Sequence, residues 1–159
     1  MTASSDPTSP TFPTRGRLLG FDYGTKRLGI AVSNADQTIA SPLENYTRQG
    51  TDQDSRHIRR LVEEYSAVGL VVGLPVHMSG DEGGKAREAR EFGTWLSRIT
   101  GLPVRYADER YSSLIAEQLL IGAEFTSKKR KARLDMLAAQ YILQGFLENR
   151  DADEKLGPI

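Results

Sequence analysis

The chain has 159 residues, 38% of them hydrophobic and 26% charged, with 21 basic side chains balanced by 21 acidic ones and no cysteine. That length suits one domain with a real core, and the composition is that of an ordinary soluble protein. The absence of cysteine excludes disulfides and thiolate metal sites, the zero net charge does not advertise nucleic-acid binding, and the strongly apolar stretch around Val68 to Val76 is far too short to span a bilayer.

Residues 1–15, mostly Ser, Thr and Pro up to Thr14, read as a disordered leader. They lack the charged and apolar regions of a secretory signal, and the scarcity of arginine before Arg15 disfavours a transit peptide. Residues 16–149 read as the folded domain, and residues 150–159 as a loose acidic tail. Arg17 to Asp22 predicts a first strand, Leu28 to Ser33 a second, and Gln37 to Tyr46 contains a third. Short glycine-bearing or polar turns between them predict an antiparallel meander. Ile58, Leu61, Val62 and Tyr65 recur at helical spacing and predict a helix over Asp52 to Tyr65. Gly69 to Leu74 has no alternation, as in a strand buried on both faces. Lys85 to Ile99 repeats the helical pattern, and Pro103 to Ala107 is a fifth strand. Ser112 or Ser113 can cap a helix running to about Leu120. A last helix is marked by Leu134, Leu137, Ala138, Tyr141, Ile142 and Phe146. The order predicts an α/β fold, one mixed sheet with helices on its faces, in which ligands gather beyond the carboxyl ends of the strands.

Three acids sit where these elements begin or end. Asp22 closes the first strand and is followed by Tyr23-Gly24-Thr25-Lys26-Arg27. Gly24 permits a sharp turn, and Lys26 and Arg27 bring positive charge beside the carboxylate, although Asp and Gly are also common in plain hairpins. Glu109 follows the fifth strand. Of the adjacent pair Asp108 and Glu109 only one can face a pocket if the backbone is extended, and Glu109 is the choice; a solvated loop with an ion pair to Arg110 is the bland alternative. Asp135 is expected in the first turns of the last helix, on one side with Ala138, Ala139 and Ile142. It could merely favour the helix N-terminus, but an Asp continuing a buried face needs a partner, which a cation would supply. Three carboxylates gathered at one rim suit magnesium, which takes a few acids plus water and phosphate oxygens. Between Glu124 and Asp135 the run Lys128, Lys129, Arg130, Lys131, Arg133 is free of acids and could grip a phosphate backbone, or form a solvated helix start. The glycine-rich stretch of residues 75–84 could shape a substrate site, but Asp81 and Glu82 argue against a tight anion cradle. Of the two histidines, His57 is expected on the surface of its helix and His77 within that glycine-rich loop; neither has a second histidine at ligand spacing.

Four stretches carry a resemblance: Gly20-Phe21-Asp22-Tyr23-Gly24-Thr25-Lys26-Arg27 continuing to Ser33, Val71-Val72-Gly73-Leu74-Pro75 with Met78-Ser79-Gly80, Asp108-Glu109-Arg110-Tyr111-Ser112-Ser113, and Leu134-Asp135-Met136-Leu137-Ala138-Ala139. In this order and spacing the chain resembles the YqgF family of pre-16S rRNA nucleases, relatives of Holliday-junction resolvases. The resemblance implies an RNase H-like fold, strand order 3-2-1-4-5, and a cytoplasmic Mg2+- or Mn2+-dependent nuclease acting on precursor rRNA. It puts the metal-binding and catalytic triad on Asp22, Glu109 and Asp135. Lys26, Arg27, Arg110, Lys128, Lys129, Arg130, Lys131 and Arg133 are the expected substrate contacts. Asn34 and Ser79 stand where the family usually has Asp, which bears on substrate contacts rather than on the triad. The implied chemistry is two-metal hydrolysis of a phosphodiester. Three rivals stand beside it: a four-way DNA junction resolvase, which would need a two-fold dimer rather than a monomer; a nucleotide-binding module of the sugar-kinase and actin type, whose Asp-x-Gly-Thr hairpin is similar but which uses two such domains; and a nucleic-acid-binding module without catalysis, against which the carboxylates argue because they would repel phosphate without a cation.

Overall fold

The computed structural model describes residues 12–75, 83–108 and 127–150, and the side chains within them except those of residues 127–135. Five strands form one sheet in the order β3-β2-β1-β4-β5. They are β1 (Leu18–Asp22), β2 (Arg27–Ser33), β3 (Ala40–Thr47), β4 (Gly69–Leu74) and β5 (Val104–Asp108). The first three make the expected antiparallel meander, with Asp22 opposite Gly29 and Leu28 opposite Tyr46. β4 and β5 are added parallel to β1, Phe21 lying opposite Val72 and Gly73 opposite Ala107. β3 is an edge strand, and its register shifts between Ile30 and Ala31, next to Pro42, which cannot donate to a ladder.

Side chains alternate across each strand, and the two faces carry different helices. Leu19, Phe21, Leu70, Val72, Val104 and Tyr106 pack with α1 (Thr51–Tyr65) and α2 (Gly84–Thr100) through Ile58, Leu61, Ala89, Phe92 and Leu96. Leu18, Ala31, Val71 and Ala107 face α3 (Ser127–Glu148) through Ala139, Ile142, Leu143 and Phe146. β1 and α3 meet closely at Gly20: a Cβ there would stand 2.8 Å from that of Leu143. Gln144 and Gln140 then fasten α3 to the sheet edge, accepting from the Ala40 N–H (2.8 Å) and donating to the Ala40 carbonyl (3.1 Å).

Three sequence expectations change. The last helix begins at Ser127, ahead of the first apolar marker Leu134, so Lys128 to Arg133 lie in its opening turns and Asp135 about two turns in. The first-turn electrostatic role considered for Asp135 therefore does not apply, because that effect fades beyond one turn. Phe12, inside the expected leader, is buried in an edge-to-face pair with Phe146 (5.5 Å). His57 is half-buried rather than on the surface, hydrogen-bonded to Glu44 and stacked on Tyr46 at 4.1 Å. The helix expected from Ser112 or Ser113 to Leu120 lies outside the described residues, as does His77. No helix among the described residues is long and apolar enough to cross a membrane.

Candidate active site at the carboxyl rim of the sheet

β1, β4 and β5 run in one direction, so Asp22, Leu74 and Asp108 end at the same rim. Counting by two from Leu18 and Gly20, Asp22 belongs to the α3 face. Asp108 has the parity of Val104 and Tyr106 and belongs to the α2 face, opposite Asp22. Asp22 borders a cavity of about 420 Å³, with Tyr23, Gly24, Gly73, Pro75 and Lys85 among its walls. It also borders a hollow of about 240 Å³ that includes Lys26, Arg27 and Gly29. The structure thus brings Asp22, Lys26 and Arg27 to one place, Lys26 exposed and Arg27 half-buried.

The turn that carries these residues is tightly built. A Cβ on Gly24 would come within 2.5 Å of the Arg27 carbonyl, so the chain can reverse here only with glycine at that position. Arg48, which sequence reasoning missed, closes the turn from outside. Its backbone N–H donates to the Lys26 carbonyl (2.9 Å) and its guanidinium to the Gly24 carbonyl (3.3 Å). The guanidinium is held in turn by buried Asp54 at 3.1 Å. Asp54 also accepts from the Gln49 N–H (2.7 Å) and the Tyr46 hydroxyl (2.8 Å). Burial alone would raise the Asp54 carboxyl's pKa, but these hydrogen bonds and the Arg48 charge reverse the effect and hold it below the ordinary range. Burial and the hydrogen bond to Asp54 push the Tyr46 hydroxyl up to about 12. The one sequence signal was Asp54 in an apolar-facing slot of α1, four residues before Ile58.

Glu109 and Arg110 lie outside the described residues, directly after the end of β5. Asp135, Lys128, Lys129, Arg130, Lys131 and Arg133 are described as positions on α3 only. Among the described residues no group of three His, Cys, Asp or Glu side chains could hold a metal ion. Among the described residues hard oxygen donors are what this rim offers, since the chain has no cysteine and His57 is engaged by Glu44 and Tyr46.

Comparison with known proteins agrees with this architecture. A protein of Rhodopirellula baltica, named as a candidate pre-16S rRNA nuclease, is 41% identical over 137 residues, covering 86% of this chain and 79% of that protein. One of the same name from Cereibacter sphaeroides is 42% identical over 139 residues, with 87% of each chain covered. Among solved structures, Thermus thermophilus RuvC in complex with a Holliday junction superposes with a TM-score of 0.53 at 14% identity, over 86% of this chain and 96% of that one. The fowlpox virus Holliday junction resolvase gives 0.50 at 14% identity, over 83% and 98%. At such identities these two likenesses show the fold, which is the RNase H-like fold of the resolvases. The profile described as "RuvX: Holliday junction resolvase" matches residues 16–149, and the chain belongs to that family.

Proposed function

We propose that this chain is a metal-dependent nuclease that hydrolyses phosphodiester bonds in precursor 16S rRNA, with Asp22, Glu109 and Asp135 as its catalytic, metal-holding acids. The observation that carries the reading is Asp22 at the carboxyl rim of β1, in a hollow shared with Lys26 and Arg27. An acid followed by two cations suits a site that must hold a divalent ion and a phosphate together. Oxygen ligands of this kind favour Mg2+ or Mn2+. A bound ion of this type supplies a water of lowered pKa and charge stabilisation for the leaving oxygen.

The chain's own side chains hold the strand. Lys26 and Arg27 neutralise the phosphate next to Asp22. Arg110 and the cluster Lys128, Lys129, Arg130, Lys131 and Arg133 neutralise its neighbours. Arg48 and Gly24 fix the turn so that Asp22 does not drift. The substrate assignment rests on the names of relatives about 40% identical over most of the chain, and it implies a cytoplasmic protein.

A second reading is a four-way DNA junction resolvase, favoured by the description of the family profile. One experiment separates the two: labelled precursor rRNA and a synthetic four-way junction, each incubated with the protein and Mn2+ or Mg2+, with chelator and Asp22→Asn controls. Trimming of the RNA by a monomer supports the first reading, and symmetric nicking of the junction by a dimer supports the second. Asp22→Asn should lower kcat by at least about a hundredfold, since loss of a group that merely supports a metal ligand already costs 10–100-fold. Cleavage by Asp22→Asn at the wild-type rate sinks both.

A further inference from the structure

Beside the Asp22 cavity runs a groove of about 360 Å³ that the proposed chemistry leaves unused. The cavity and the groove share Tyr23 and Glu88 as walls, so they adjoin at those two side chains. Three aromatic rings line the groove in series. Tyr23 and Phe92 lie 5.0 Å apart at 45°, and Phe92 and Trp95 5.7 Å apart at 33°. Phe92 is buried as the floor, while Tyr23 and Trp95 are only half-buried. The Arg48 guanidinium stands 5.8 Å from the Tyr23 centroid and 5.7 Å from that of Phe92.

The charges decide what the groove accepts. The Arg48 charge is paired with Asp54 at 3.1 Å. Glu88 and Glu91, one turn apart on α2, are exposed at the groove. Phosphate is therefore repelled from it. A flat, uncharged ring with N–H donors is favoured on both counts, stacking on the aromatic faces and donating to a carboxylate. The volume falls at the lower end of small-ligand sites.

We infer that this groove is a nucleobase subsite. It takes an unstacked base with an exocyclic amino group, from a strand that crosses the carboxyl rim of β1 between the phosphate held at Asp22 on the α3 side and the groove on the α2 side. Stacking is on Tyr23 and Trp95, and Glu88 or Glu91 accepts from the amino group. The inference deepens the nuclease reading and rests on it.

Trp95 is the chain's one tryptophan, so its emission reports on the groove directly. The probes are short oligocytidylate, oligouridylate and an abasic ribose–phosphate chain, added to the full chain carrying Asp22→Asn so that nothing is cut. Binding is followed in parallel by anisotropy of end-labelled oligomers. Oligocytidylate should quench Trp95 saturably, oligouridylate should bind several-fold more weakly, and the abasic chain should leave the emission unchanged. Trp95→Ala should weaken oligocytidylate binding by about 5- to 150-fold, the range for loss of one stacked base. Glu91→Gln, an exposed and isosteric change, should narrow the gap between oligocytidylate and oligouridylate. Oligomers that bind by anisotropy with silent Trp95 emission, or an abasic chain that quenches equally, overturn the subsite and leave the nuclease reading standing. Failure of every oligomer to bind removes both.

Discussion

Asp54 accepts from three donors, Gln49, Tyr46 and Arg48, and through Arg48 it steadies the turn next to Asp22. Its ionisation is therefore tied to stability, with a definite sign. The carboxyl is held below its ordinary value of 3.8, so its stabilisation is complete above that pH and is lost as pH falls through the lower folded value. Tyr46 is shifted the other way, from 10.0 to about 12. Its contribution is present below pH 10 and disappears as pH rises toward 12. Urea unfolding across pH should show both flanks, and Asp54→Asn should flatten the acid one. Asp54→Ala leaves Arg48, Tyr46 and the Gln49 N–H facing a hole and should cost roughly 3 kcal/mol. An unchanged urea midpoint in Asp54→Ala would show that the network contributes nothing.

At the scale of the element, α3 has an unusual beginning. Its first turn holds no acid, and the basic run from Lys128 to Arg133 occupies the positive end of the helix dipole. Lys128, Lys129 and Arg130, in the first turn, are each unfavourable by about 0.3–1 kcal/mol in the free protein. The same arrangement sums helix and side-chain potential where a phosphate chain would pass. Replacing Lys128 and Lys129 by Ala should stabilise or leave unchanged the folded chain while weakening nucleic-acid binding. The slope of log K against log salt should flatten by about 0.7–0.9 for each phosphate that is no longer neutralised; an identical slope removes the cluster from the interface. Farther along, Gly20→Ala would drive its methyl into Leu143 and lift α3 from β1, at a cost of about 1–3 kcal/mol read by thermal unfolding. How far these elements were legible follows from their patterns. β4, with six buried residues, reads as an unbroken apolar run, and α1 and α2 declare themselves by helical spacing. The start of α3 is hidden because Lys, Arg and Ala are good helix formers without an apolar stripe, so periodicity begins only at Leu134. Asp22 was legible as an acid closing an apolar strand. Arg48 was not, because its partners Gly24, Lys26 and Asp54 are set by the fold of the turn rather than by any local spacing.

Over the whole molecule the sheet separates chemistry from cohesion. The carboxyl rim of β1, β4 and β5 carries Asp22 and its cavity. The opposite rim is closed by residues that sequence reading assigned to leader and tail. Phe12 packs over Gly69 at the start of β4, and Arg105 and Arg150 stand 5.1 and 5.7 Å from its ring centroid. Arg150 donates to the Pro13 carbonyl (2.8 Å) and to Gln37 Oε1 (2.9 Å), while Gln37 Nε2 donates to the Gly16 carbonyl (2.9 Å). A Ser-Thr-Pro-rich stretch hid Phe12, because composition averages away one anchoring ring. The two rims should respond to mutation independently, being separated by the length of the strands. Phe12→Ala removes a buried ring and should cost about 3 kcal/mol, lowering Tm by roughly 6–12 °C for a chain of this size. Well below that Tm, cleavage by Phe12→Ala should run at the wild-type rate with the wild-type metal requirement. A loss of activity at a temperature where circular dichroism shows the variant folded would mean that the far rim is coupled to the site through α3, whose Phe146 meets Phe12 at one end and which carries Asp135 toward the other.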